Sequence, residues 1–139
     1  MTKFQRKIYH NRDIKYKISL INHVQYIFDL YEIDEQIIRV IPTEYIDENF
    51  SNKRLDFAVE CTSGNIYDIE CEISAINGQT LDKTWNYVKS LYCWYDNDIY
   101  SLIIALSEKN NLIGKRIGTT THNPIYCEMQ KLNVDQSLN

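Results

Sequence analysis

At 139 residues the chain has the length of one domain, and 44% hydrophobic with 24% charged residues is an ordinary balance for a folded globular protein. Twenty Ile, eleven Tyr and only two Pro favour strands and exclude a disordered or low-complexity chain. The net charge of −4 hides an asymmetry: residues 1–19 carry six Lys or Arg against one Asp, a net +5, whereas residues 20–139 carry nine against eighteen acids, a net −9.

Residues 1–19 therefore read as a basic arm ahead of one acidic domain, residues 20–139. Such an arm is either a solubilising tail or a contact that neutralises nucleic-acid phosphates without reading sequence. No apolar run approaches the ~18 residues that span a bilayer, and the N-terminus lacks the apolar core of a secretory signal. A cytoplasmic protein is expected.

From Ile18 to about Glu35, Leu20, Ile21, Val24, Ile27, Phe28 and Tyr31 keep helical spacing and predict a first helix. Ile37 to Ile41, closed by Pro42, predicts a short strand, and Thr43 to Lys53 a polar connection. Then Leu55, Phe57, Val59 and Cys61 alternate with polar residues, and after a turn Tyr67, Ile69, Cys71 and Ile73 repeat the pattern. This predicts a β-hairpin with one apolar face.

The other face of that hairpin holds Asp56, Ala58 and Glu60 on its first strand and Asp68, Glu70 and Glu72 on its second, because side chains at i and i+2 share a face. A three-residue loop, Ser63-Gly64-Asn65, would set Asp56 beside Glu72 and diagonal to Glu70. Like charges on facing strands repel, so an acid-only row asks for a counterion. Mg²⁺ or Mn²⁺ suits carboxylate oxygen, with Asp56 and Glu70 as primary ligands. The competing reading is a solvated polar surface, its repulsion screened by salt.

Beyond the hairpin, Asn77-Gly78 marks a turn and Thr80 a cap, and Leu81, Trp85, Val88, Tyr92 and Tyr95 form a helical stripe. Ile99 to Ser107 is a nearly continuous apolar run, expected as a strand buried on both faces at the sheet centre. Farther on, Ile113 to Thr120 is expected as an edge strand, Thr121 to Pro124 as a turn and Ile125 to Leu132 as a last short element. The order predicts a mixed central sheet with helices on its faces.

Cys61, Cys71, Cys93 and Cys127 show no C-x-x-C spacing; Cys61 and Cys71 fall on the apolar face of the hairpin and are expected as small buried thiols, neither zinc ligands nor disulfides. His10, His23 and His122 stand in no metal-binding or triad arrangement. The glycines at 114 and 118 do not make a phosphate loop, which needs Gly-Lys followed by Ser or Thr.

The order of elements, with Pro42-Thr43-Glu44-Tyr45, Arg54-Leu55-Asp56-Phe57, Gly64 and Ile69-Glu70-Cys71-Glu72, resembles the PD-(D/E)XK nuclease superfamily, and within it the transposase-associated, recombination-promoting branch. The match spans roughly residues 20–107. The resemblance implies an α/β restriction-endonuclease-like core and a Mg²⁺- or Mn²⁺-dependent DNA endonuclease linked to transposition or recombination. It implies that Asp56 and Glu70 hold the metal and that Glu72 stands in the place of the superfamily's catalytic lysine.

An acid at that place departs from the pattern, and two readings of Glu72 stay open: a third metal ligand, or the mark of a degenerate site. Lys83 and Lys89 are candidates for the missing cation. Wheel arithmetic at about 100° per residue sets Lys89 at the border of the apolar stripe and Lys83 nearly opposite it, which favours Lys89. Glu32 or Glu35 is a candidate outer ligand. The alternative function is a catalytically degenerate nuclease fold that binds nucleic acid or protein, with Tyr87, Tyr92, Trp94 and Tyr95 either stacking on bases or packing in the core. A homodimer is a reasonable arrangement for a small enzyme that cuts two strands.

Overall fold

The computed structural model of the chain describes residues 18–41, 57–107, 110 and 114–129. Residues 1–17, with most of the basic arm, lie outside that set, as do residues 42–56, which include Asp56 and the Pro42 and Arg54 motifs.

Residues 18–30 are helical and belong to α1, which ends earlier than the spacing predicts. Glu32 takes a left-handed φ of 56°, and the Ile33 amide reaches back to the Phe28 carbonyl at 2.8 Å. That closing bond is the six-to-one contact that ends a helix and turns the chain into β1, Ile37–Ile41. Strands β2, Phe57–Cys61, and β3, Ile66–Glu72, follow as the expected hairpin. Helix α2, Gly78–Trp94, leads to β4, Ile99–Ala105. Then come β5, Lys115–Ile117, β6, Thr120–His122, and β7, Ile125–Glu128.

Among the described residues five strands make one mixed sheet in the order β1-β2-β3-β4-β7, antiparallel on the β1 side and parallel from β3 onward. Because β3 and β4 are parallel neighbours, α2 is the crossover between them. The main α/β expectation is met, with a mixed sheet between helices and β4 in its interior. Past β4 the sequence reading needs correction. The expected edge strand and turn instead form a separate hairpin, β5–β6, and the last element, β7, is the edge of the main sheet.

The two helices cover opposite faces. Val24 and Phe28 of α1 pack in one core with Val59, Cys61, Tyr67, Ile69, Leu102 and Ile104. Tyr87 and Leu91 of α2 pack with Ile41, Ala58 and Ile66 on the other side. Alternation along β3 is thus preserved, but both of its faces are buried, and the acidic face is the one beneath α2.

The hairpin loop is three residues long, as expected, but one position earlier, Thr62-Ser63-Gly64. The Cys61 amide donates to the Asn65 carbonyl at 2.9 Å, and Gly64, at φ 91°, supplies the left-handed step that a side chain would strain. Phe57 consequently pairs with Ile69, where the expected loop would have paired it with Cys71. A two-residue slip conserves the face on which each side chain lies.

One thiol, Cys71, differs from expectation. Cys61 and Cys127 are buried, and burial pushes both up to about 12, but Cys71 is exposed at the end of β3, and so is Cys93. Native protein is expected to titrate two of its four thiols rapidly with a disulfide reagent and all four only after unfolding, because the thiolate is the reactive form. Fast titration of Cys61 would contradict the packing against α1.

Candidate functional site

On the α2 side of β3, Asp68 is fully buried and Glu70 is 2% exposed, two consecutive acids of one face in the middle strand of the sheet. Asp68 stands in register with Ala58 of β2 and Ser101 of β4, whose hydroxyl is buried without a hydrogen-bond partner among the described residues. An ionised carboxylate in such a place must be matched by a cation or by hydrogen bonds. Lys83 of α2 supplies the match for Glu70, its Nζ meeting Oε1 in an ion pair.

Lys83, rather than Lys89, is thus the lysine at the acids. The buried residues of α2 are Thr80, Leu81, Thr84, Tyr87 and Leu91, a stripe turned by about 70° from the one that its aromatics suggest. That rotation carries Lys83 to the border of the buried face and Lys89 to the far side, where it is exposed with its Nζ 5.8 Å from the centre of the Trp85 ring. Tyr92 and Trp94 are 65% and 62% exposed, Tyr87 is core, and Tyr95 lies under the Arg39 guanidinium.

The start of α2 is fixed by a capping box. The Asn77 side chain accepts from the amides of Gln79 and Thr80 at 2.9 and 3.3 Å, and Thr80 Oγ1 accepts from the Asn77 amide at 3.4 Å. Thr80 is therefore the third residue of the helix and Asn77 the cap. Between this helix start and the end of β3 lies a cleft of about 250 Å³ lined by Glu72, Ser74, Asn77, Gln79, Thr80 and Lys83. Glu72 is half-buried there and accepts from Ser74 Oγ at 3.0 Å. The cleft sits at the carboxyl end of a strand that begins a parallel crossover, where open α/β sheets receive their ligands.

Glu32 and Glu35 do not join this site. Glu35 packs on the α1 side, accepting from Ser63 Oγ, Asn65 Nδ2 and Tyr67 Oη at 2.7 to 2.8 Å. Burial alone would raise its carboxyl, but the three hydrogen bonds outweigh it and hold Glu35 below the usual range. Glu32 is the residue that closes α1.

Carboxylates are the donors offered on the α2 side, and hard oxygen of this kind fits Mg²⁺ or Mn²⁺ rather than zinc. Among the described residues no group of three or more His, Cys, Asp or Glu is gathered as a metal site would be. Glu70 and Glu72 remain as a two-carboxylate edge on one face of β3, and Mg²⁺ commonly uses one or two carboxylates with substrate phosphate. The donor chemistry fits the ion, with Asp56 outside the described residues.

A second polar cluster lies one turn along α2, at a histidine that stands in no motif of the sequence. His122 of β6 is buried, its Nε2 2.8 Å from Thr84 Oγ1 and its ring 5.5 Å from that of Trp85. Burial lowers its pKa, so it stays neutral where an unfolded chain would already have taken up a proton. The unfolded state then binds more protons below about pH 6.5, and stability falls as the pH is lowered through that range. Melting temperatures at pH 7.5 and 5.5 are expected to drop more for the wild type than for His122→Gln. An equal drop would place the acid sensitivity elsewhere.

The fold and site together define a mixed α/β domain with acids buried on its central strand and a lysine brought to them by the crossover helix. No family model matches the sequence, and no curated protein matches it. Among solved structures the chain is similar to a repair endonuclease from Pyrococcus abyssi, at 18% identity and a TM-score of 0.44, over 64% of this chain and 37% of that one. The chain thus spans little more than a third of that endonuclease, and a likeness at this level assigns no residue a role. Among the described residues no helix is long and apolar enough to cross a membrane.

Proposed function

We propose that the chain is a Mg²⁺- or Mn²⁺-dependent DNA endonuclease, with Asp56, Glu70 and Glu72 holding the metal and Lys83 in place of Lys89 as the cation at the site. The observation that carries this reading is Glu70, an acid 2% exposed on the central strand, held against a lysine at the edge of an open cleft. Buried ion pairs are weak sources of stability, so one kept on the central strand suits a chemical role better than a packing one. The link to transposition or recombination is supported by the motif order from Pro42 to Glu72 alone.

Hydrolysis adds water across a phosphodiester, forming one P–O bond and breaking another. The metal's contribution, when bound, is to polarise the phosphate and lower the pKa of the attacking water. Glu70 and Glu72 present oxygen ligands from a rigid strand, and Lys83 carries the positive charge that the family pattern puts at position 72. Asn77 and Thr80 fix the helix that delivers Lys83.

One observation favours the degenerate binding module: Lys83 already neutralises Glu70, so that carboxylate has a counterion without a metal. The test is cleavage of plasmid and single-stranded DNA with Mg²⁺ or Mn²⁺ by the wild type, Asp56→Ala and Glu70→Ala, with folding checked by circular dichroism. Metal-dependent cleavage lost in both folded variants is the expected result. A folded wild type that neither cleaves nor shows metal binding by calorimetry would establish the degenerate form.

A further inference from the structure

The β5–β6 hairpin stands apart from the main sheet, and its hold on the rest of the protein is narrow. Its two three-residue strands pair with each other alone among the described residues, and only His122 in them is buried. Ile117, the single apolar side chain from Lys115 to His122, joins none of the core clusters of the described residues. An isolated two-stranded hairpin is marginal in water, so this one keeps its shape by staying docked.

Among the described residues two polar contacts dock it on α2. Lys115 pairs with Asp82, but both side chains are more than a third exposed, and water and salt screen such a pair. The other contact is His122, whose Nε2 lies 2.8 Å from Thr84 Oγ1 and whose ring packs 5.5 Å from that of Trp85. His122 is therefore the main fastening.

The bond to Thr84 fixes where the imidazole carries its proton. Thr84 has one hydroxyl hydrogen and donates it to the Leu81 carbonyl at 3.1 Å, so its oxygen accepts from His122 and Nε2 bears the hydrogen. A second proton can go only to Nδ1. Among the described residues no acceptor bonds Nδ1, so an imidazolium here is a buried cation with an unmet donor.

The charged groups on the elements packed against the ring are Asp82, Lys83 and Lys89 of α2 and Lys115 and Arg116 of β5. Asp82, the one acid, is taken by Lys115, and Lys83 by Glu70. Lys89 lies over Trp85, and Arg116 donates to the Gly118 carbonyl. Four of the five are cations and none bonds the imidazole, so an added positive charge finds no counterion there.

We propose that the β5–β6 hairpin is an acid-released latch on α2: neutral His122 keeps it docked, and uptake of a proton at Nδ1 lets it go while the main sheet stays folded. The latch depends on neither the nuclease reading nor a metal. Burial holds docked His122 below its ordinary pKa of 6.5, to which it returns on release. The released form thus binds more protons, and release grows as the pH falls below about 6.5. For a docked imidazole that stays neutral throughout, linkage sets the rise in the opening constant from pH 7.5 to pH 5.5 at about 10-fold. Opening uncovers Thr84 and the Trp85 ring, so the exposed surface of α2 changes with pH.

The test is native-state hydrogen exchange of the full chain at pH 7.5 and 5.5, compared as protection factors so that intrinsic exchange rates cancel. Protection of residues 115–122 is expected to fall by about 10-fold between the two, and that of β3 and β4 to hold within about 2-fold. Asp82→Asn is expected to lower hairpin protection at both values and to keep the 10-fold step. His122→Gln keeps a donor for Thr84 but does not titrate, and is expected to abolish the step. NMR of the His122 ring over the same range is expected to show titration below 6.5. A hairpin equally protected at both values, one unprotected at pH 7.5, or one that loses protection together with β3 and β4 overturns the latch. So does a step that survives in His122→Gln, and so does a ring that titrates at or above 6.5, however the variants dock.

Discussion

Lys83→Met is expected to lower metal-dependent cleavage by about 10²- to 10³-fold, the usual cost of removing one preorganised group that stabilises developing charge. The same substitution leaves Glu70 without its ammonium in a position where the carboxylate side chain is 3% exposed. Breaking a buried pair from one side costs about 3 to 5 kcal/mol, but Lys83 itself is 38% exposed, so solvent screening brings the expected loss to about 1 to 3 kcal/mol. The double variant Lys83→Met, Glu70→Gln removes both charges and is expected to recover part of that stability while remaining inactive. Denaturant midpoints and cleavage rates measured on the four proteins of the cycle separate the two effects. Lys89→Met is the control: its ammonium lies over Trp85 on the exposed side of α2, and its loss should leave cleavage within about 3-fold of wild type. Activity lost with Lys89 and kept without Lys83 would overturn the placement of the cation.

Why the wheel misplaced that cation is a matter of what lies beneath the helix. Apolar size makes Trp85, Val88 and Tyr92 look like the inner face of α2, whereas the sheet below presents Asp68, Glu70 and Ser101 in addition to apolar groups. A helix over a polar sheet face turns small hydroxyls and a lysine toward it, and Thr80, Thr84 and Lys83 lie on or beside the buried stripe. Periodicity weighs hydrophobicity and carries no record of a partner surface, so this rotation was not legible from α2 alone. What was legible is the local pattern: the alternation that makes β2 and β3, the apolar run of β4, and the pairing of Val24 with Phe28 on α1. The face holding Glu70 and Glu72 was legible too, since alternation survives a two-residue slip of the loop. The β5–β6 hairpin was not, because strands of three residues leave too short a pattern to read.

Glu35→Ala is expected to cost about 2 to 3 kcal/mol, the largest stability loss foreseen on the α1 side, since hydrogen bonds to a charged group contribute about 1.5 to 3 kcal/mol and three converge here. The carboxylate reaches from the segment after α1 to the hairpin loop and to the buried Tyr67, whose hydroxyl would lose its acceptor. Gln25 secures the same segment, donating to the Glu35 carbonyl and accepting from the Ile37 amide at 2.9 Å, so the backbone stays in place and the loss falls on the side-chain contacts. The folded-state pKa of Glu35 is depressed, so its contribution is complete above the unfolded value of about 4.3 and is lost as the pH falls through the folded one. Melting curves of wild type and Glu35→Ala should therefore lie far apart at pH 7 and draw together near pH 3. Equal separation at both values would mean that the charge of Glu35 is not what holds the loop. Cleavage at pH 7, below the melting temperature of the variant, should be unchanged, because Glu35 sits on the opposite side of the sheet from Glu70 and Lys83.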